Sequence, residues 1–318
     1  MNLRVAAVLL AIVILGIANP ARAGGLGGDE LADLYSGSHA LVIGVSDYGG
    51  TGWDSLPGVE NDVRRVTSLL ETAGFEVEQV GPPGTSRAIR TAVEAFFERH
   101  GSDPGRQLLI YYAGHGASLR DGHGQLTGFI VPAGVPVPAA GLAASDYDGA
   151  SEMRWLEDLA ARESVRARHV LFLVDSCFSG AIFQRQRGAE RPALIEYLAS
   201  QEVRQFITSG THTQRVPDES IFLRMFVEAL AGRGDNNGDG FITGTELGQF
   251  LRETVSNATR ARQTPQFARM SRDGVDYGEF IFRSPIGPRE TPIGTEATAA
   301  DRRQELAGAA AGRFRNCH

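Results

Sequence analysis

Three short stretches of the chain are almost wholly apolar: residues 40–45 (ALVIGV), 108–112 (LLIYY) and 170–174 (VLFLV). Runs of this length, rich in Val, Ile, Leu and Tyr and without alternation, suit parallel strands covered on both faces. Between them apolar residues recur every three or four positions, at Val63, Val66, Leu69, Leu70 and Ala73 and again at Ile89, Val93, Phe96 and Phe97. That is the spacing of helices with one buried stripe. Strand, helix, strand is the repeating unit of an α/β fold: a mostly parallel central sheet flanked by helices, in a single domain. Gly74 stands where a left-handed cap would end the first helix, ahead of a strand over 75–80. Further along, the pattern predicts part of a hairpin at 127–131, a Pro- and Gly-rich loop at 132–141 and a helix over 153–163. It then predicts a fifth strand at 206–208, helices over 221–230 and 245–255, and a last strand at 280–282.

The ends of the chain read differently. Residues 1–4, ending in Arg4, give a short basic start, 5–17 are an almost unbroken apolar run, and Ala21-Arg22-Ala23 has small residues at both specificity positions of a signal-peptidase site. The run is shorter than the ~20 residues of a spanning helix, so it reads as a secretory signal over 1–23 and not as a retained anchor. A periplasmic or secreted location is the expectation, with no stable membrane span after cleavage. Residues 24–37 are a glycine-rich linker, 38–283 the folded domain, and 284–318, rich in Ala, Arg, Glu and Pro, a flexible tail.

Composition narrows the function. The 318 residues carry a formal net charge of −7, and every one of the 31 basic residues is Arg. Nucleic acid calls for a basic surface, so it is not an expected partner. Two cysteines, Cys177 and Cys317, make neither a disulfide framework nor a multi-thiolate zinc site. Any role of Cys177 is that of a single thiol.

The strand at 108–112 runs straight into Ala113-Gly114-His115-Gly116, and the strand at 170–174 into Asp175-Ser176-Cys177-Phe178-Ser179-Gly180. Open α/β sheets place their sites past the carboxyl ends of strands. A thiolate attacks a carbonyl, and an imidazole returns a proton to the leaving amine. Cys177 is thus the candidate nucleophile and His115 the general acid and base, while the N–H groups of Gly116 and Cys177 are candidates for an oxyanion hole.

The segment Tyr111-Tyr112-Ala113-Gly114-His115-Gly116 together with Asp175-Ser176-Cys177-Phe178-Ser179-Gly180 resembles the caspase-like cysteine peptidases, peptidase family C14, in their bacterial metacaspase (orthocaspase) branch. The resemblance implies the caspase-hemoglobinase fold, a Cys-His dyad and polypeptide substrates. It departs from the family's pattern at Phe178, where many metacaspases carry His. It also implies a pocket for a basic P1 side chain, Arg and by extension Lys, built on Asp175 and on Asp62 of Gly58-Val59-Glu60-Asn61-Asp62. Two carboxylates in a slot hold a guanidinium by charge-assisted hydrogen bonds and repel an acidic side chain. The alternatives are that Asp62 caps a helix beginning near Val63 and that Asp175 accepts backbone bonds at a strand end. Arg185, Arg187 and Arg191 follow the nucleophile where this family often has a processing loop, so self-cleavage is open, with Arg187–Gly188 the favoured bond. A solvated loop is the other reading.

A second motif runs from Asp235 to Glu246. It fits the twelve-residue EF-hand loop, with Asp235, Asn237, Asp239, the Phe241 carbonyl, Thr243 and Glu246 as ligands for Ca2+ and Gly240 at the sharp turn. Only one such loop is present, whereas EF-hands usually pair; the alternative is a polar turn between two helices. The functional expectation is a periplasmic or secreted, calcium-modulated cysteine endopeptidase that cleaves after basic residues. A catalytically silent scaffold of the same fold and a calcium-binding interaction protein are the alternatives. The oligomeric state is not legible.

Overall fold

The computed structural model describes residues 34–176, 195–211, 214, 220–270 and 278–287. Cys177, Gly180 and the three arginines of the expected processing loop fall outside the described residues, as do the leader and most of the expected tail.

A six-stranded sheet forms the centre, in the order β10-β8-β7-β3-β1-β2. The strands are β1 (Gly37–Gly44), β2 (Glu76–Val80), β3 (Arg106–Ala113), β7 (His169–Asp175), β8 (Val203–Thr208) and β10 (Gln266–Arg269). The first five are parallel, and β10 closes one edge antiparallel to β8. The three apolar runs are its central strands, with the interior of β3 and all of β7 buried. Each extends beyond its apolar part into buried polar residues at the foot of the sheet: His39 on β1, Gln107 on β3 and His169 on β7.

Helices cover both faces. Helix α1 (Gly58–Thr72) packs on one face with α5 (Ile221–Glu228) and α6 (Gly244–Thr259), around Val42, Leu109, Tyr111, Leu171 and Ile207. Helix α2 (Ser86–His100) and the short α3 (Arg154–Ala160) pack on the other, around Ile43, Ile110, Tyr112, Phe172 and Phe206. Alternate residues of β3 thus enter different layers, Tyr111 one and Tyr112 the other, as the period of a strand demands. A small antiparallel sheet of β4 (Gly116–Arg120), β5 (Leu126–Ile130) and β6 (Ser151–Glu152) follows His115 directly. A short helix, α4 (Ile195–Ser200), precedes β8.

Several boundaries depart from the sequence expectation, each for a physical reason. Helix α1 begins at Gly58 after Pro57, five residues before Val63; Asp62 is therefore inside the helix and does not cap it. Helix α3 stops at Ala160, where the Arg204 guanidinium donates to the carbonyls of Ala160 and Val165 and satisfies the helix end. The strand expected at 280–282 is β11 (Ile281–Arg283), and it joins no central sheet. It pairs with β9 (Phe241–Thr243), inside the twelve-residue loop motif, in a separate ribbon.

Candidate active site

Strands β3 and β7 are neighbours, and Ala113 lies opposite Asp175. His115 and Cys177 both follow two residues later in sequence, so the two motif loops leave adjacent strands at one level of the sheet. The β7 loop is anchored at its root by Ser209, whose N–H donates to the Val174 carbonyl at 2.9 Å and whose hydroxyl donates to the Ser176 carbonyl at 3.1 Å. The β3 loop turns at Gly114, where a Cβ would meet the hydroxyls of Tyr48 and Tyr112, each at 2.7 Å. Only glycine fits between the two rings.

His115 is half-buried and held on several sides. Its backbone N–H donates to the Tyr48 hydroxyl at 2.8 Å, and its carbonyl accepts from the Tyr112 hydroxyl at 2.9 Å. The imidazole Nε2 lies 2.8 Å from the backbone carbonyl of Asp54. A carbonyl only accepts, so Nε2 carries the proton and Nδ1 is the basic nitrogen. Among the described residues Nδ1 has no partner. Burial holds the imidazole pKa below its usual 6.5, and the Asp54 carbonyl and carboxylate oppose that shift. Gly116, the candidate oxyanion donor, opens β4 opposite Ile130, immediately beyond the imidazole. Its partner in that role, Cys177, is outside the described residues.

Asp175 ends β7 and is buried, with 6% of its surface exposed. Among the described residues its carboxylate accepts no backbone hydrogen bond. Oδ2 accepts from the Tyr111 hydroxyl at 3.3 Å and from the Ser220 hydroxyl. Ser220 in turn caps α5 by accepting from the Leu223 N–H at 2.8 Å. Oδ1 is buried and, among the described residues, has no hydrogen-bond partner. Burial pushes the carboxyl above its ordinary range, and the nearby hydroxyls of Ser220, Ser209 and Tyr111 pull it back. Asp62 is buried on α1. Both carboxylates act on the Tyr111 phenol, whose pKa is raised by burial first, then by Asp175 and then by Asp62. The two sequence-predicted pocket residues therefore share one neighbour, on the α1 side of the sheet. Tyr111 and Ser220 were not predicted for this role. Tyr111 lies opposite Leu173, two residues before Asp175 and so on the same face, and that period of two was the available signal; Ser220 lies 45 residues from Asp175, and no local pattern links them.

The loop at 235–246 has the backbone its motif asks for. Gly238 and Gly240 take positive φ, +75° and +90°. Their N–H groups donate to the two oxygens of Asp235, at 2.7 and 3.1 Å. Asn237 accepts from the Asp239 N–H and Asp239 from the Phe241 N–H, both at 2.9 Å. Thr243 and Glu246 form a reciprocal capping box at the start of α6. The charges of Asp239 and Asp235 push the Glu246 carboxyl up, adding to its burial. Among the described residues no three His, Cys, Asp or Glu side chains are drawn together as a metal cluster. The donor set of the loop is nonetheless oxygen throughout, which is the chemistry of a hard cation.

The caspase-domain family model matches residues 38–275, three quarters of the chain. The chain belongs to the caspase-domain peptidase family. Its fold is the caspase fold, a mostly parallel sheet flanked by helices in a single domain, and its membership implies a cysteine-type peptidase domain acting on polypeptides. No curated protein matches. Two solved structures are similar to this caspase domain. One is a Geobacter sulfurreducens protein at 16% identity and TM-score 0.48, covering 80% of this chain and 100% of that one. The other is caspase-1 from Spodoptera frugiperda at 15% identity and TM-score 0.49, covering 76% and 89%. Among the described residues no helix is long and apolar enough to cross a membrane.

Proposed function

We propose that the protein is a cysteine endopeptidase of the metacaspase type that cleaves after Arg, and after Lys less well, with Cys177 and His115 as its dyad. What supports the dyad above all is the register of β3 and β7, which sets Ala113 opposite Asp175 and so starts both motif loops side by side. In this reading His115 Nδ1 takes the thiol proton and the Cys177 sulfur bonds to the scissile carbonyl carbon. The N–H groups of Gly116 and Cys177 receive the oxyanion. His115 then protonates the leaving amine as the C–N bond breaks; water, deprotonated by His115, attacks the thioester carbon, the C–S bond breaks, the acid product leaves and the Cys177 thiol is regenerated with the proton from His115.

The basic P1 preference rests on Asp175 and Asp62. Asp175 Oδ1 is buried and, among the described residues, without a hydrogen-bond partner; a guanidinium that donates to it would offset that cost. Ca2+ is proposed for the loop at 235–246, with Asp235, Asn237, Asp239, the Phe241 carbonyl, Thr243 and Glu246 as ligands. Bound there, it would neutralise the mutual repulsion of the three carboxylates and stiffen the start of α6. Secretion after cleavage at Ala23 completes the reading, and self-cleavage at Arg187 belongs to it as an activation step.

The test is hydrolysis by the purified protein of matched fluorogenic peptides carrying Arg, Lys, Asp or Asn at P1, with calcium and with chelator. Arg turnover that disappears in Cys177→Ala, with the acidic peptide untouched, is the expected result; chelator lowers the rate. No turnover of any peptide by folded, trypsin-nicked protein would replace the reading with a scaffold.

A further inference from the structure

The loop between β1 and α1 does more to His115 than supply the Asp54 carbonyl. Gly50 and Gly52 take positive φ, +78° and +86°, and Thr51 turns back to bond the Tyr48 carbonyl. The Trp53 N–H then donates to the Thr51 hydroxyl at 3.4 Å, and the Thr51 carbonyl accepts from the Val137 N–H at 3.0 Å. This folded loop lays the indole of Trp53 flat against the imidazole, with ring centroids 4.6 Å apart and planes at 25°. Tyr48 meets the same imidazole edge-on, at 4.6 Å and 60°. Trp53 is itself packed, partly buried, against the core on the α2 side.

We infer that Trp53 is a positioning residue of the catalytic centre: its indole fixes the plane of the His115 ring so that Nε2 stays on the Asp54 carbonyl and Nδ1 stays free for the thiol. The inference rests on the Cys-His reading above. Magnitudes show why a second restraint is needed. One net hydrogen bond favours a ring orientation by only about fivefold. An aromatic stack adds about two- to tenfold and, unlike the bond, also excludes water from one face of the ring. The charged group facing the imidazole is the Asp54 carboxylate. The Tyr48 phenol, pushed up to about 12 by burial, stays neutral throughout the working range.

Two readouts test it. A protonated imidazole quenches an indole stacked on it, and the chain has two tryptophans, so Trp155→Phe leaves Trp53 as the single emitter. Its emission is expected to fall on acidification with one midpoint below 6.5, and to lose that step in His115→Gln. Emission flat between pH 8 and 5, or a step that survives His115→Gln, overturns the contact. In the kinetic arm, Trp53→Ala lowers kcat on the Arg peptide on the order of 10- to 100-fold. KM changes less than twofold, and the acid limb of the profile moves up towards 6.5. Trp53→Phe, which keeps an aromatic plane, recovers most of kcat. An unchanged kcat and acid limb in Trp53→Ala, or a loss in Trp53→Phe as large as in Trp53→Ala, contradicts the positioning role. If wild type shows no Cys177-dependent turnover, the Cys-His reading fails by itself, and the fluorescence arm still decides whether Trp53 rests on His115.

Discussion

Strand β7 begins and ends with a buried titratable side chain, and the two ends are built on opposite rules. At the foot, His169 is wholly buried. Its Nε2 donates to the Gln201 carbonyl at 2.9 Å, and its Nδ1 pairs with the Tyr35 hydroxyl. Every polar atom of that ring has a partner, and the imidazole pKa is pushed down to about 3, chiefly by burial. At the top, Asp175 is nearly as buried, but Tyr111 and Ser220 both bond Oδ2, and among the described residues Oδ1 has no hydrogen-bond partner. A saturated buried polar group stabilises a fold, whereas a half-satisfied one is a cost to the fold that a ligand can relieve. On the proposed reading, this difference is that between a residue that holds the fold and one that receives substrate.

Substitution at the two ends should therefore damage different properties. Asp175→Asn is expected to lower kcat/KM for the Arg peptide by two to three powers of ten, from the loss of a charge pair worth about 3–5 kcal/mol. Thermal stability should hold or rise, because a buried carboxylate is removed. Equal losses of stability and activity would erase the distinction. His169→Ala should do the reverse. It opens a cavity and orphans two partners, at a cost of about 2–4 kcal/mol by denaturant unfolding, with kcat/KM within twofold of wild type.

Acid titration sharpens the contrast through its sign. The folded pKa of His169 lies below its unfolded value, so its contribution is full above pH 6.5 and is lost as pH falls towards 3, at up to about 1.4 kcal/mol per unit. The folded pKa of Asp175 lies above its unfolded value of 3.8, so its cost is absent in acid and grows as pH rises through that value. Unfolding curves at stepped pH should show the acid loss flattened in His169→Gln and the opposite slope removed in Asp175→Asn. The smallest effect is expected from Tyr111→Phe. It removes one donor from Asp175 at a cost of about 1 kcal/mol, raises the carboxyl further and weakens Arg preference a few-fold, measured as the ratio of Arg to uncharged P1 peptides.

The central strands were legible because unbroken apolar runs have few other uses in a chain of this length. Their feet were not: Gln107 and His169 are polar in sequence, yet each is buried and bonded by a neighbour, Ser38 for Gln107 and the Gln201 carbonyl for His169. The edge strand Gln266–Arg269 carries no alternation or apolar run, and its pairing with β8 is a tertiary choice. At the site, His115, Asp62 and Asp175 stood out by motif. Their supports did not stand out. Ser220 and Trp53 reach the site through chain reversals that no local spacing encodes, and Trp53 sits in a glycine-rich turn that reads as a plain loop. The loop at 235–246 shows a third case. Its motif was clear, but the pairing of its strand Phe241–Thr243 with Ile281–Arg283, with Phe282 opposite Ile242, is a long-range contact that the motif does not encode.

The most direct measurement of the central claim compares Arg with citrulline, its uncharged isostere, at P1 of one peptide, in wild type and in Asp175→Asn. If the bare carboxylate oxygen of Asp175 receives a guanidinium, the Arg:citrulline ratio of kcat/KM is at least about a hundred in wild type and falls to within tenfold of unity in the variant. A ratio near one in wild type, or a large ratio that Asp175→Asn leaves intact, would contradict the account.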